Sequence, residues 1–348
     1  MKFSMFFLGS WTEPETSAQP RIFGEMLEQI EYAEELGFDA VWIAEHHSSR
    51  YGICPSLMPF VSHVAARTKT IRIGTGISVL PFYNPIYLAE ESAMMDVLSH
   101  GRLDFGVGRG NTVYEYGNFH IDMESRDVRF KEVLDIVQGL WTTPHFSYQG
   151  ELYQVEDITI APSPVQQPHP PVYMAVSRTP ASVDVAVSRG LPILTSFFPP
   201  EQDVLGLISL YAERCNALGQ PPRMEDVPYF RFVYLTEDEQ EAKEYPREAL
   251  TWARDLGAYR RTLTHGDEIH VDLDHYRRHR TEPAVSYETE LANAYFGTPE
   301  QCVQKLRWLE QEHNIRHFGV CTSFGSMAHD KVLRSMEMFA KEVMPHFK

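Results

Sequence analysis

The feature that most constrains this chain is a regular alternation of short, apolar, β-rich runs with longer helical patterns. Near-continuous apolar character is typical of parallel strands covered by helices on both faces. Eight β-then-α units in 348 residues predict an α/β fold, a single (β/α)8 TIM barrel over 1–348. The eight predicted strands are KFSMFFL (2–8), DAVWIA (39–44), IRIGTGISV (71–79), RLDFGVG (102–108), PVYMAV (171–176), PILTSF (192–197), YFRFVYL (229–235) and HFGVC (317–321).

A doubly wound sheet is the alternative, but that fold usually has five or six strands and a glycine-rich first turn. The first turn here, Leu8-Gly9-Ser10-Trp11, contains one glycine. Helix boundaries support the barrel prediction. Apolar spacing predicts a helix from about Ile22 to Leu36 that Gly37 ends, and Thr298-Pro299-Glu300-Gln301 predicts a capping box at the start of another.

Two insertions interrupt the alternation. After strand four, the sequence around Gln149-Gly150 predicts a β-hairpin followed by a proline-rich connector. After strand seven, residues 262–292 are polar and show no clear periodicity. Loops that follow barrel strands lie at the carboxyl-terminal face, where barrel enzymes carry their sites. We therefore predict that 262–292 is a long, mobile lid within the domain.

Charge and cysteine content exclude several classes of function. The formal net charge of −17 disfavours binding to nucleic acid or to anionic membrane surfaces. The four cysteines are far apart and form no Cys-x-x-Cys pair, which argues against a disulfide framework or a thiolate zinc site. The first eight residues do not resemble a signal peptide, and no run is long enough to span a membrane. We expect a cytoplasmic protein.

The sequence Glu45-His46-His47 follows the second strand directly. Adjacent histidines on a strand point to opposite faces, so His46 and His47 cannot chelate one ion together. We therefore predict no metal site, although a metal-dependent hydrolase remains a minor alternative. His46 is the predicted catalytic residue, a general acid/base or substrate contact near neutral pH, and a scaffold role is its alternative. For His47 a scaffold role is favoured.

Two arginines and one helix start suggest a site for a phosphate group. Arg109 follows strand four within a glycine-rich turn, and Arg126 begins the next helical pattern, where a solvated surface arginine is equally compatible. Ser177 and Thr179 follow strand five and open a helix, whose free N–H groups can bind phosphate or simply be capped. One anchored phosphate beside aromatic side chains such as Phe6 would suit FMN.

In their order and spacing, several stretches resemble the bacterial luciferase-like flavin monooxygenases over nearly the whole chain. The stretches are MKFSMFFL, GFDAVWIAEHH, IRIGTGISVLPFYNPIYLAEESAMMDVLSHGRLDFGVGRG, PVYMAVSRTPAS, GLPILTSF and VMPHFK. The resemblance implies a barrel, often dimeric, that binds reduced FMN from a separate flavin reductase. It also implies that O₂ then forms a flavin C4a-peroxide, which attacks an organic substrate.

The resemblance also implies roles for individual residues. His46 matches the catalytic histidine, and Gly76-Ile77 match an unusual peptide bond beside the flavin ring. Arg109, Arg126, Ser177 and the backbone at Val176 match the phosphate-binding residues. With the residues read from the strand ends, the predicted cofactor-binding set is Phe6, Gly76, Ile77, Gly108, Arg109, Arg126, Val176, Ser177 and Thr179. Trp11, Glu115 and Phe197 are expected on the substrate side.

Two positions depart from the family pattern. Gly108 stands where the luciferases have a reactive cysteine, so light emission is not predicted, and Val176 replaces an acidic residue at the phosphate loop, where the contact can run through the backbone. The expected substrate is a small apolar molecule: an aldehyde, a ketone or an aromatic natural product. The alternatives are a deazaflavin-dependent oxidoreductase of the same fold and a non-catalytic flavin-binding protein. Apolar residues on more than one face of Asn84–His100 predict a homodimer that buries this helix.

Overall fold

The computed structural model describes residues 1–13, 15–280 and 285–347. All eight predicted strands are present within a few residues of the predicted bounds, but the third, predicted over 71–79, is divided into β3 and β4. The strands are β1 (Lys2–Phe7), β2 (Ala40–Ile43), β3 (Arg72–Thr75), β4 (Ser78–Val79), β5 (Leu103–Gly108), β6 (Phe146–Gln149), β7 (Gln154–Ile158), β8 (Val172–Val176), β9 (Ile193–Thr195), β10 (Tyr229–Leu235), β11 (Tyr295–Gly297) and β12 (His317–Cys321).

Helices connect most of the strands. They are α1 (Gln19–Leu36), α2 (Leu57–Arg67), α3 (Pro85–Leu98), α4 (Val113–Asn118), α5 (Arg126–Thr142), α6 (Pro180–Ser188), α7 (Glu201–Ala217), α8 (Glu239–Glu244), α9 (Arg247–Arg260), α10 (Leu273–His279), α11 (Tyr287–Asn293), α12 (Pro299–His313) and α13 (His329–Met338). As predicted, Gly37 ends α1 in the left-handed conformation and Thr298 with Gln301 forms a capping box on α12.

The eight predicted strands form one parallel sheet in the order β10-β12-β1-β2-β3-β5-β8-β9. The first and last strands of this order meet at Thr195. Its hydroxyl donates to the carbonyl of Pro228 at 3.0 Å and accepts from the backbone N–H of Phe230 at 3.2 Å. These bonds link β9 to β10 and close the curled sheet, as the barrel prediction requires. The added strand β11 pairs with Val233–Leu235 of β10.

The alternation of side chains along the strands divides the core into two clusters. One contains Phe6, Trp42, Tyr173, Phe230 and Phe232, whose rings fill the barrel. The other contains the intervening strand residues and the apolar faces of the helices. Both faces of the sheet are apolar, so both must be shielded from water. The rings inside the barrel cover the inner face, and the helices between the strands cover the outer face.

Large rings inside the barrel lie over glycines of the neighbouring strand. Trp42 on β2 is in register with Gly74 on β3, where an added Cβ would lie 2.2 Å from the indole ring. Phe230 on β10 is in register with Gly319 on β12, where a Cβ would lie 2.0 Å from the phenyl ring. The barrel interior is therefore packed by pairing one aromatic ring with one missing side chain.

The insertions differ in how well the sequence predicted them. The hairpin is present as β6 and β7, joined through Gly150. In 262–292, by contrast, the sequence showed no clear periodicity, yet α10 and most of α11 lie within this segment. Its residues 281–284 fall outside the described residues, and the mobile lid stays a prediction. Among the described helices, none is long and apolar enough to cross a membrane.

The tight glycine contacts yield a prediction with a matched control. In Gly106→Ala, the new Cβ would lie 2.0 Å from the backbone oxygen of Thr75, which cannot rotate away. We expect the free energy of unfolding to fall by about 3 kcal/mol. In Gly24→Ala on α1, no atom lies within 4 Å of the new methyl group, and we expect a gain of about 0.5–1 kcal/mol. Urea denaturation measures both, and a stable Gly106→Ala variant would contradict the packing argument.

Candidate functional site

The predicted site residues lie at the carboxyl-terminal ends of the barrel strands. His46 follows β2, Gly76 and Ile77 follow β3, Arg109 follows β5, and Thr179 follows β8. A cleft of ≈ 530 Å³ lies elsewhere, at the opposite end of the barrel, and is lined by residues such as Lys2 and Arg316 that flank the amino-terminal ends of β1 and β12. We place the site at the carboxyl-terminal face, where the sequence-predicted residues converge.

His46 and His47 point in different directions, as strand alternation predicted. The His46 ring packs edge-on against Tyr51 with centroids 4.9 Å apart, and its side chain is 21% exposed. The His47 ring lies between Phe82 and Phe119 and contacts the buried Glu45 carboxylate at 3.2 Å. Glu45 also accepts hydrogen bonds from the backbone N–H of Val79 and from the hydroxyl of Tyr83, which fits the scaffold role.

A buried arginine, Arg260 at the end of α9, contacts the ring of His46. Its Nη2 lies 3.2 Å from His46 Nδ1 and donates to Glu115 Oε1 at 3.0 Å, while its Nε lies 3.1 Å from Glu268 Oε2. The three charged side chains are each less than a tenth exposed. One cation thus stands between two carboxylates, directly beside His46.

This environment changes the titration of the groups in it. Burial of the ring and the positive charge of Arg260 lower the pKa of His46 to about 4. The expectation that His46 titrates near neutrality was therefore wrong. Burial opposes ionisation of Glu115, but contacts with His46 and Arg260 lower its pKa on balance. Burial raises the pKa of Glu268, against the opposing charge of Arg260.

The short helix α4 connects the histidine region to the predicted phosphate region through three consecutive residues. The hydroxyl of Tyr114 donates to the backbone carbonyl of His47 at 3.2 Å. Glu115 accepts from Arg260 and from the backbone N–H of His47. Tyr116 donates to the backbone carbonyl of Arg109. Glu115, predicted on the substrate side, is 3% exposed and bonded to these protein partners.

Arg109 bridges the amino-terminal turns of two helices. Its Nη1 donates to Asp127 in the first turn of α5 at 2.8 Å, and its Nη2 donates to Ser182 in the first turn of α6 at 2.5 Å. Thr179 precedes α6, but its hydroxyl does not cap the helix and instead bonds to the Ser182 hydroxyl at 2.7 Å. Arg126 is the first residue of α5. Arg109 thus joins the amino-terminal ends of two helices, where free backbone N–H groups favour an anion.

The segment between β3 and β4 contains the peptide bond that the sequence singled out. The Gly76-Ile77 bond is cis. The Ile77 side chain lies over Gly108, where an added Cβ would be 2.0 Å from Ile77 Cδ1 and 3.2 Å from Ala175 Cβ. Ile77 thus fills the space that a cysteine at position 108 would need. Val176 is buried, and Ser177 after it is partly exposed.

Aromatic rings cover the remaining part of the barrel mouth. Phe6 contacts Phe197 edge-on with centroids 5.1 Å apart, and Phe197 contacts Phe198 at 4.9 Å. Trp11 is 3% exposed and lines a small groove together with His46. The structure therefore brings Phe6, His46 and Phe197 to one end of the barrel, as the sequence predicted.

Sequence reasoning missed three residues of this region. Arg260 lies 214 positions from His46 along the chain, and Glu268 lies inside a segment without periodicity. No local motif marks either residue, since their partners are set by the closed barrel. Ser182 lies in the predicted start of the helix after strand five. Residues three apart at a helix start can contact each other, so its spacing from Thr179 could have indicated this contact. Among the described residues, no three His, Cys, Asp or Glu side chains are grouped to hold a metal ion.

The low pKa of His46 predicts how stability changes with pH. In the folded protein the imidazole stays neutral down to a pKa of about 4, whereas in the unfolded chain it takes up a proton near 6.5. Protons therefore favour the unfolded state, and stability falls as the pH drops from about 6.5 to about 4, by up to about 3 kcal/mol for this group.

We expect His46→Asn to lose less stability than the wild type over this pH range, because the variant has no imidazole at position 46 to take up a proton on unfolding. His270→Asn, which removes a largely exposed imidazole, is the control and should follow the wild type. Urea denaturation at several pH values measures the difference. Parallel pH profiles for the wild type and His46→Asn would contradict the lowered pKa.

Comparison with known proteins identifies the family. Residues 1–313 match the model of the luciferase-like monooxygenases. Over 354 aligned residues, the chain is 29% identical to the oxygenase component of flavin-dependent trigonelline monooxygenase from Acinetobacter baylyi, covering 100% of this chain and 96% of the relative. The structure of monooxygenase RslO1 from Streptomyces bottropensis is 30% identical, with a TM-score of 0.85 and full coverage of both chains.

Two more distant structures share the fold. The oxygenating constituent of 3,6-diketocamphane monooxygenase from Pseudomonas putida, solved with FMN, has a TM-score of 0.81 at 20% identity and covers 99% of this chain and 98% of its own. An F420-dependent secondary alcohol dehydrogenase has a TM-score of 0.76 at 19% identity, covering 100% and 99%. The fold alone therefore does not distinguish FMN from the deazaflavin F420 as the cofactor. The family model, which matches most of the chain, shows that this chain belongs to the luciferase-like monooxygenase family.

Proposed function

We propose that the protein is the oxygenase component of a two-component monooxygenase. It takes reduced FMN from a separate flavin reductase and uses O₂ to oxidise a small apolar organic substrate in the cytoplasm. The observation that carries this proposal is Arg109, which joins the first turns of α5 and α6 at the end of the barrel that also holds His46. The family of the chain supports the redox chemistry.

The groups at this end of the barrel fit FMN in their chemistry. A phosphate monoester needs cationic and hydroxyl donors, and Arg109, Thr179 and Ser182 supply them beside the start of α6. Arg126 at the start of α5 adds a second guanidinium. We propose that Ser177 and the backbone at Val176 complete the phosphate site, and that Phe6, Gly76, Ile77 and Gly108 border the flavin ring.

Reduced FMN, when bound, would supply the electrons that activate O₂ for insertion of one oxygen atom into the substrate. The remaining functions belong to the protein. His46 would hold a proton beside the reacting atoms as a neutral imidazole, since its pKa is about 4. The described parts of the segment 262–292 would cover the mouth and exclude water, which such chemistry requires. Glu268 of that segment is already fully buried against Arg260.

The substrate side of the proposed site is aromatic and poor in free charge. Trp11 and Phe197 are buried there, and Glu115 is already paired with Arg260. Such a lining favours an aldehyde, a ketone or an aromatic compound over a free anion. Because Ile77 fills the space over Gly108, we do not propose light emission.

Turnover with a flavin reductase tests the function. We expect O₂ uptake and substrate oxidation when the protein is mixed with a reductase, NADH, FMN and a panel of aldehydes, ketones and uncharged aromatic compounds. Two other outcomes would favour the alternatives. Reduction of a deazaflavin by an alcohol, without O₂ uptake, would establish the deazaflavin-dependent oxidoreductase. Tight binding of oxidised flavin, with no O₂ uptake beyond that of the reductase, would establish a non-catalytic flavin-binding protein.

The phosphate anchor predicts a ligand-specific loss of affinity. Arg109→Gln should weaken binding of reduced FMN by about 1.5–3 kcal/mol, because a charge-assisted contact is lost. Binding of reduced riboflavin, which lacks the phosphate, should change little. Arg126→Ala should show the same pattern, while Arg214→Gln on the exposed face of α7 should change neither. Anaerobic fluorescence titration measures the affinities, and equal losses for both flavins would rule out the anchor.

We also propose a homodimer that buries α3. This helix packs on α2 and α5 but leaves Tyr87, Met94 and Leu98 exposed by 69%, 47% and 55%. The three side chains repeat at intervals of seven and four residues, which places them on one face of the helix. An apolar row of this kind on a helix is typical of a surface covered by a partner.

A single charge on this face should disrupt the dimer. We expect Met94→Glu to weaken self-association at least about tenfold, because a carboxylate would be buried in the interface. Leu218→Glu, at another highly exposed leucine, should leave association unchanged. Sedimentation velocity across micromolar concentrations measures this, and a monomeric wild type would contradict the proposal.

A further inference from the structure

We infer that Arg260 is a positioning residue for His46. Its guanidinium fixes the position of the imidazole proton, and Glu268 of the segment 262–292 holds the guanidinium in place. His46 would then be set for its role only while this segment is docked. The inference rests on the proposed function only in treating His46 as the reacting group; the hydrogen-bond arrangement can be tested without turnover.

The position of the proton follows from donor chemistry. A guanidinium has N–H donors and no acceptor, so the 3.2 Å contact between Arg260 Nη2 and His46 Nδ1 requires that Nδ1 accept. In the neutral ring the proton is then on Nε2. The ring therefore presents a donor at Nε2.

The groups around the ring would favour the opposite tautomer if Arg260 were removed. Glu115 on α4 has Oε1 3.8 Å from the same Nδ1, and a carboxylate can only accept. Tyr51 packs against the ring edge-on, and His47 is its chain neighbour. Without Arg260, the Glu115 carboxylate would draw the proton to Nδ1 and leave Nε2 as an acceptor. Arg260 thus decides between two opposite hydrogen-bond patterns at Nε2.

Glu268 ties Arg260 to the segment that covers the site. Its side chain is fully buried and lies 3.1 Å from Arg260 Nε. Its other oxygen accepts from the backbone N–H of Tyr51 at 2.9 Å and from the hydroxyl of Ser49. Glu268 therefore fixes Arg260 and the loop behind His46 at once. Displacement of the segment would remove one of the two carboxylates that hold Arg260 and leave Glu115.

Three other described residues of the segment form ion pairs with α9. Asp255 of α9 accepts from Arg277 at 2.6 Å and from Arg280 at 2.7 Å. Arg254 of α9 pairs with Glu290 of α11. Together with Arg260 and Glu268, these contacts attach the described parts of 262–292 to the carboxyl-terminal half of α9. Arg260, the last residue of α9, is the member of this set that contacts His46.

Nitrogen NMR of histidine-labelled protein without flavin tests the inference, with the His46 signals assigned from His46→Asn. In the wild type we expect an unprotonated Nδ1 and a protonated Nε2. Arg260→Met should move the proton to Nδ1 and raise the pKa of His46 by about one unit or more, since Glu115 remains and the cation is gone. Arg260→Lys, which keeps a donor and the charge, should restore the wild-type pattern. Arg261→Met, the exposed neighbour, is the control.

Turnover and the Glu268 variant complete the test. Arg260→Met should lower kcat at least about tenfold with little change in the KM for substrate, and Arg260→Lys should recover part of it. Glu268→Gln should give a mixture of tautomers at His46 and an intermediate kcat.

An unprotonated Nδ1 in Arg260→Met would overturn the role of Arg260. An unchanged His46 signal in Glu268→Gln would overturn the link to the segment, and this variant keeps the inference falsifiable if Arg260→Met does not fold. If no variant or wild type consumes O₂ but the tautomers change as expected, the proposed function fails and the positioning role stands.

Discussion

The pairing of aromatic rings with glycines inside the barrel is the constraint on which the rest of the structure depends. Parallel strands in a barrel lie at a fixed spacing, so a ring the size of Trp42 can enter only where its neighbour has no side chain. Gly74 and Gly319 provide that space beside Trp42 and Phe230. This packing fixes the direction in which each strand ends. Because His46 is only four residues after Trp42, the packing of Trp42 also fixes the position of His46.

A second constraint governs the polar end of the barrel. Arg260, Glu115 and Glu268 are buried together, and in a medium of low dielectric each would be costly to bury alone. The site is therefore most sensitive to the loss of a single member, because the remaining charges stay buried without compensation. Arg260 of this cluster also lowers the pKa of His46, so the imidazole and the charged network form one electrostatic unit.

The sequence predicted those features that depend on local pattern. Apolar runs predicted the eight barrel strands, and Gln149-Gly150 predicted the β6–β7 hairpin. Gly37 predicted the end of α1, and the capping box predicted the start of α12. Alternation placed His46 and His47 on opposite sides, because that period belongs to the backbone. Arg260 and Glu268 were not predictable in this way. They meet His46 only after the barrel closes, and α10 has charged residues where an apolar stripe would mark a helix.

The same distinction explains the error about titration. An imidazole in water has a pKa near 6.5, and a sequence offers no reason to assign another value. The lowered value arises from burial and from a guanidinium more than two hundred positions away. A neutral ring changes the chemistry that can be expected of His46, since it can hold or pass a proton at Nε2 without first being charged. Its pKa leaves it neutral throughout the physiological range.

Net charge is a similarly poor guide to the ligand. A chain of formal charge −17 repels polyanions at long range, yet the proposed cofactor carries a phosphate. Repulsion between separated charges is screened over about 10 Å at moderate ionic strength, whereas contacts at 3 Å in a partly buried site are not. Under the proposed function, Arg109 would supply such contacts where two helices begin, and its own partners, Ser182 and Asp127, hold it there. The acidic surface would then oppose nonspecific binding of larger anions, while the local geometry would select one small phosphate.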